Sequence, residues 1–279
     1  MLQETNSKAP IGIFDSGYGG LTILSEIRRT LPQYDYIYLG DNARAPYGTR
    51  SFEIVYRFTL EAVQYLFNQG CQLVILACNT ASAKALRSIQ QNDLPHIDPN
   101  RRVLGVIRPT VEILDTVTHN GHIGLLGTPG TINSESYTAE VAKLYPQYTI
   151  HGQACPLWVP LIENNEINSE GTDFFVKKYI DQLLAQSPLI DTVILGCTHY
   201  PLLYNLIHKH LPSHINILSQ GNLVANSLKD YLYRHPEIEQ KCARNGRCTF
   251  LTTESSKKFT ETATLFLQDT ITAQQIELG

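Results

Sequence analysis

Two cysteines sit in the settings most suited to chemistry. Each ends a short apolar run and is followed at once by polar residues: Leu73-Val-Ile-Leu-Ala-Cys78-Asn79-Thr80 and Thr192-Val-Ile-Leu-Gly-Cys197-Thr198-His199. A buried cysteine ordinarily fills a gap in a core. Here two thiols recur in matched contexts at the carboxyl ends of expected strands, where open α/β sheets bind ligands. Each is expected to open the helix that follows. Free N–H groups and the positive dipole end there would lower a thiol from its free pKa of roughly 8.5. A single active thiol would be a nucleophile assisted by His199. A matched pair suits inversion of a stereocentre, with one group removing a proton from one face and the other delivering one to the opposite face.

Positioning such a pair requires strands that point both sulfurs at one place. Short apolar, β-branched runs occur at Ile11–Phe14, Tyr36–Leu39, Leu73–Ala77, Val103–Val106, His122–Leu126, Tyr148–His151, Thr192–Gly196, Ile215–Leu218 and Cys248–Leu251. Several are apolar throughout, as expected of parallel strands covered on both faces. Amphipathic stretches such as Ser51–Gln69 and Leu223–Arg234 lie between them. The alternation predicts βαβ units in an α/β fold with mostly parallel sheets. The halves also echo each other. The two cysteine runs align, and Ile11-Gly-Ile-Phe14 matches Ile123-Gly-Leu-Leu126, each before a glycine-containing turn.

Composition narrows the classes further. The chain has 279 residues, 43% hydrophobic and 17% charged, which suggests about two domains with substantial cores. A net charge of −4, with no basic stripe, argues against a nucleic-acid partner. No apolar run approaches the roughly 18 residues of a membrane-span candidate. The polar start, Met1 to Ala9, lacks the apolar core of a secretory signal, so a cytoplasmic location is expected. In that compartment the six cysteines are expected to be free thiols, and none has zinc-finger spacing. Gly17-Tyr-Gly19-Gly20 is no dinucleotide fingerprint, because position 22 is threonine.

Taken in order, several segments resemble glutamate racemase, of the aspartate/glutamate racemase family. They are Ile11-Gly-Ile-Phe-Asp15-Ser16-Gly17-Tyr-Gly19-Gly20-Leu, Tyr38-Leu-Gly-Asp41 with Pro46-Tyr47-Gly48, and Ala77-Cys78-Asn79-Thr80-Ala81. Leu126-Gly127-Thr128, Cys155-Pro156-Leu with Pro160-Leu-Ile-Glu163, and Gly196-Cys197-Thr198-His199-Tyr200-Pro201 follow. The likeness runs from about Ile11 to Pro201, and more weakly to the C-terminus. It implies interconversion of L- and D-glutamate without pyridoxal phosphate or metal, supplying D-glutamate for peptidoglycan synthesis, cell-wall biogenesis and cell shape. Cys78 would act on the α-proton of the D-enantiomer, assisted by Asp15. Cys197 would act on that of the L-enantiomer, assisted by Glu163 and His199. Asp15, Ser16, Tyr47, Gly48, Asn79, Thr80, Thr198 and His199 would bind substrate. The resemblance also implies two pseudo-symmetric α/β domains with the site in the cleft between them. Residues 10–105 plus 218–279 would form one and 106–217 the inserted other, and the family is compatible with a homodimer.

Other readings remain at this stage. Another acidic amino acid such as aspartate could be the substrate. A Cys197–His199 thiol hydrolase would make Cys78 dispensable, and an amino-acid sensor would bind without proton exchange. Taken alone, Asp15-Ser16-Gly17 reads as a turn with a helix cap, and Gly127-Thr128-Pro129-Gly130 as a turn. Glu163 reads as a solvated acid, Arg44 as half of a surface ion pair, and Cys71, Cys155, Cys242 and Cys248 as structural. The segment Ser219-Gln220-Gly221-Asn222 departs from the acidic pattern of many relatives.

Overall fold

The computed structural model describes residues 8–267 and 270–278. Residues 1–7, most of the polar start read above, lie outside the described residues. The strands in chain order are β1 (Ile11–Asp15), β2 (Tyr36–Gly40), β3 (Leu73–Leu76), β4 (Arg102–Gly105) and β5 (His122–Gly127). They continue as β6 (Thr149–Ala154), β7 (Thr192–Gly196), β8 (Asn216–Leu218), β9 (Cys248–Thr252) and β10 (Ala273–Gln275). All pair in parallel, in two sheets ordered β10-β9-β2-β1-β3-β4 and β6-β5-β7-β8.

The apolar runs become central strands because both faces are covered. All of β1, β3 and β7 is buried. Helix α1 (Gly20–Thr30) buries Leu21, Ile23, Leu24 and Ile27 on one side of the first sheet, beside the Gly221–Arg234 helix. Helix α2 (Phe52–Asn68) covers the other side with Val55, Thr59, Ala62, Val63 and Leu66, spaced at helical period. Ser51 caps α2 by accepting a 3.4 Å hydrogen bond from the Ile54 amide. Each fully buried Leu, Ile or Val contributes about 1.5–3 kcal/mol relative to exposure. Stacked layers of this kind hold the strand ends rigidly.

The halves share one topology. In β2-β1-β3-β4 the chain leaves β1 in one direction and returns on its other side at β3; in β6-β5-β7-β8 it does the same around β5 and β7. Strand β1 therefore corresponds to β5, and β3 to β7, the same pairs the sequence echoes match. Ligands bind at such switch points, outside the carboxyl ends of the flanking strands.

Two expectations change. Strand β6 starts at Thr149 and runs to Ala154, past the expected end at His151. It is a half-exposed edge strand whose glycine and polar residues blur the alternation. Strand β10, Ala-Gln-Gln, has almost no apolar signal and was not expected. Among the described residues, no helix is long and apolar enough to cross a membrane.

Candidate active site

The carboxyl ends of β1 and β3 place Asp15-Ser16 beside Cys78, and those of β5 and β7 place Thr128 beside Cys197. Both thiols line one cavity of about 80 Å³ between the two sheets' ends. Its wall also includes Ser16, Tyr47, Gly48, Asn79, Thr80, Glu163, Thr198 and His199. Of the residues expected in a site only Asp15 stands off the wall. It is 1% exposed, accepts a 2.9 Å hydrogen bond from the Gly17 amide, and faces the Thr198 hydroxyl at 3.5 Å. A larger cavity of about 640 Å³, bordered by Lys84, Arg87, Arg108 and Glu140, contains neither thiol.

The sulfurs differ in their surroundings. Cys78 caps the short helix α3 (Asn79–Lys84), accepting from the Ala81 amide at 3.4 Å, and lies 3.4 Å from the Ser16 hydroxyl. The expected lowering of its pKa is not what this setting produces. Burial, reinforced by the nearby Asp15 carboxylate, pushes the thiol up to about 12 against the opposing pull of Ser16 and the Ala81 amide. Desolvation of the charged sulfur outweighs one turn of helix dipole. Cys197 does not open an α-helix as expected. Thr198 and His199 intervene before a 3₁₀ turn at Tyr200–Leu203. Its partner is an imidazole: His199 Nδ1 lies 3.9 Å from the sulfur, and Nε2 lies 2.9 Å from Glu163 Oε1. Burial alone would lower His199, but Cys197 and Glu163 overcome it and push the imidazole up to about 10. The imidazolium that results sits against the Cys197 sulfur. Burial raises Asp15, and His199 opposes that rise.

The cleft is closed by close cross-contacts. The Gly130 amide donates to the Gly48 carbonyl at 2.7 Å, and the Thr80 and Thr128 hydroxyls meet at 2.9 Å. The Thr22 hydroxyl donates to the Thr198 carbonyl at 3.0 Å. A Cβ on Gly48 would come within 2.8 Å of Thr128 Cβ, and one on Gly19 within 2.2 Å of Thr198 Oγ1.

Some individual readings change. Thr128 is more than a turn residue: it caps the Pro129–Asn133 helix, bonds Thr80, and lines the cavity. Cys155 also lines it, and burial holds its thiol well above the usual range. Glu163 is the partner of His199 rather than a solvated acid. Tyr47 directs its hydroxyl to Asp41 and packs its ring against Phe14 and Phe58, while the residue still borders the cavity. Arg44 forms an ion pair as read, with Asp41 and Glu61. A layer behind the wall joins Thr110, Tyr137 and Gln220, an association with no sequence signal because its members are far apart in the chain. Among the described residues, no group of three or more His, Cys, Asp or Glu side chains is arranged to hold a metal ion.

Residues 20–226 match the family model described as Asp/Glu/Hydantoin racemase. The glutamate racemase of Persephonella marina is 46% identical over 220 residues, spanning 78% of this chain and 81% of that protein. The crystal structure of glutamate racemase isoform RacE1 from Bacillus anthracis superposes with a TM-score of 0.88 at 37% identity, covering 97% of this chain and 98% of that one. The Francisella tularensis glutamate racemase, solved in complex with D-glutamate, gives 0.86 at 31% identity over 97% and 98% of the two chains.

Proposed function

The chain belongs to the Asp/Glu/hydantoin racemase family, among its glutamate racemases, and from that premise we propose a two-thiol inversion of glutamate in the cleft. The observation that carries this reading is that Cys78 and Cys197 line the same small cavity. The Cys197 thiolate, paired with His199, removes the α-proton of L-glutamate. The electron pair left on Cα spreads into the α-carboxylate, and Cys78 delivers its thiol proton to the opposite face. D-glutamate leaves with Cys197 protonated and Cys78 as thiolate, which is the state that D-glutamate needs for the reverse reaction. Proton exchange with water resets either form.

Ser16, Thr80 and Thr198 supply hydroxyls, and Tyr47, Gly48, Asn79 and His199 supply amide donors, for the two carboxylates of the substrate. Donors at the α-carboxylate stabilise the charge that develops there. Asp15 faces the ammonium, and an ammonium beside it offsets the carboxylate charge that helps hold Cys78 protonated. Closing the bodies formed by 10–105 plus 218–279 and by 106–217 over the substrate excludes water. The chemistry uses two thiols and an acidified Cα–H, so neither pyridoxal phosphate nor metal takes part. D-glutamate made this way in the cytoplasm supplies peptidoglycan synthesis.

One observation favours a second reading. Glu163, His199 and Cys197 form a line of the kind that activates a thiol nucleophile in hydrolysis. The readings separate on Cys78. Purified protein without added pyridoxal phosphate should racemise L- and D-glutamate and leave aspartate nearly untouched. Cys78→Ala and Cys197→Ala should each lose at least about 100-fold in turnover, the lower end of acid–base contributions. Full racemisation by Cys78→Ala would overturn the two-thiol reading, and a covalent acyl-enzyme would establish the hydrolase instead. Glutamate binding without α-proton exchange would make the protein a sensor.

A further inference from the structure

Behind Asn79 lies a closed set of buried polar groups. The Thr110 hydroxyl donates to the Val106 carbonyl at 2.7 Å. Gln220 Nε2 donates to Thr110 Oγ1 at 2.8 Å and to the Tyr137 hydroxyl at 2.8 Å. Gln220 Oε1 accepts from Asn79 Nδ2 at 2.6 Å, and Asn79 Oδ1 accepts from the Tyr137 hydroxyl at 2.7 Å. All four side chains are at most 2% exposed.

The direction of every bond in this set is fixed. A main-chain carbonyl can only accept, so Thr110 must spend its proton on Val106 and can only accept from Gln220. That forces the Gln220 nitrogen toward Thr110 and its oxygen toward Asn79. Asn79 must then present nitrogen to Gln220 and oxygen to Tyr137. A flipped Asn79 would set donor against donor in a buried site, at a cost of about 1–3 kcal/mol per unsatisfied group. Asn79 Nδ2 carries two hydrogens, and only one has a recorded partner among the described residues. Asn79 itself lines the cavity.

We infer that Gln220 is a positioning residue that locks the Asn79 amide so that it offers N–H, never C=O, to a carboxylate in the cleft. The lock spans both halves of the molecule. Asn79 starts a helix of the six-stranded half, Tyr137 lies on the Ser136–Leu144 helix of the other, and Val106 and Gln220 sit where the chain passes between them. Asn79 is therefore oriented when the halves are together. The inference rests on the reading that Asn79 contacts glutamate.

The test measures L-glutamate affinity by calorimetry and, separately, KM and kcat for both enantiomers. The variants are Gln220→Met, Tyr137→Phe and the double variant, with urea unfolding of each. Gln220→Met keeps volume but cannot order the amide, so Kd and KM for both enantiomers should rise about 10-fold while kcat moves less than about 3-fold. Tyr137→Phe frees the other end of the same amide and should do likewise. The double variant should resemble either single one, because both act through Asn79. Wild-type Kd and KM in the folded single variants would overturn the inference, as would a loss confined to kcat or losses that multiply in the double variant. Should wild-type protein bind glutamate without racemising it, the functional reading fails while the Kd values still decide this one. Should it not bind glutamate, both fail.

Discussion

At the residue scale the two halves of the site are chemically unequal. His199 is held protonated by Glu163 and Cys197, whereas Cys78 is held neutral by burial and by Asp15. The cation therefore stands beside Cys197 and the neutral thiol is Cys78, the asymmetry that the proposed removal of the L-glutamate proton by Cys197 uses. The raised imidazole also links stability to pH. A histidine at about 10 in the folded protein, against roughly 6.5 unfolded, contributes stability that is complete below pH 6.5 and is lost as pH rises through 10. Glu163→Gln should therefore cost about 1.5–3 kcal/mol at pH 7, the range for hydrogen bonds to charged groups, with the deficit shrinking toward pH 10. Urea unfolding at both pH values checks this, and a pH-independent deficit would contradict it. The same variant should lower kcat about 10- to 100-fold, since Glu163 acts through His199. The thiols and the polar residues after them were legible in sequence because strand, cysteine and polar cap are contiguous. The direction of the Cys78 shift was not, because desolvation depends on what the rest of the chain packs above the sulfur.

At the scale of elements, loops at corresponding strand ends line the shared cavity, and glycines let them meet. Gly19 has φ −57° and ψ −36°, a helical geometry any residue adopts. An alanine there is acceptable to α1, but its Cβ would run into Thr198 and His199 across the cleft. Gly19→Ala should then cost about 1–3 kcal/mol of unfolding free energy, the range for an overpacked contact, without unfolding the protein. Activity should fall at least about 10-fold, since misplacement of a catalytic group by an ångström is enough. Chiral chromatography and urea unfolding on the same preparation read both, and wild-type turnover would show that the observed approach is not needed for catalysis. The central strands were legible because double-sided burial writes unbroken apolar runs. Edge strand β10, three residues long with two exposed glutamines, leaves no such trace.

At the scale of the whole molecule, one β-α arrangement is used twice and turned so that both switch points face one cavity. Sequence echoes at Ile11–Phe14 with Ile123–Leu126, and around the two cysteines, carried that symmetry. The Gln220 network did not show, since Thr110, Tyr137 and Gln220 are brought together only by the passage of the chain between the halves. Symmetry also suits the reaction: mirror-image substrates are equal in free energy, so kcat/KM must be the same in both directions however unequal the two thiols are. The account stands on one group removing the proton and a different one returning it. Racemisation of L-glutamate in deuterium oxide, stopped at early conversion, tests that division most directly. The D-glutamate formed should carry deuterium at Cα while the recovered L-glutamate keeps its protium. Deuterium appearing equally in recovered substrate and product would mean that a single base serves both faces, and the two-thiol account would be wrong.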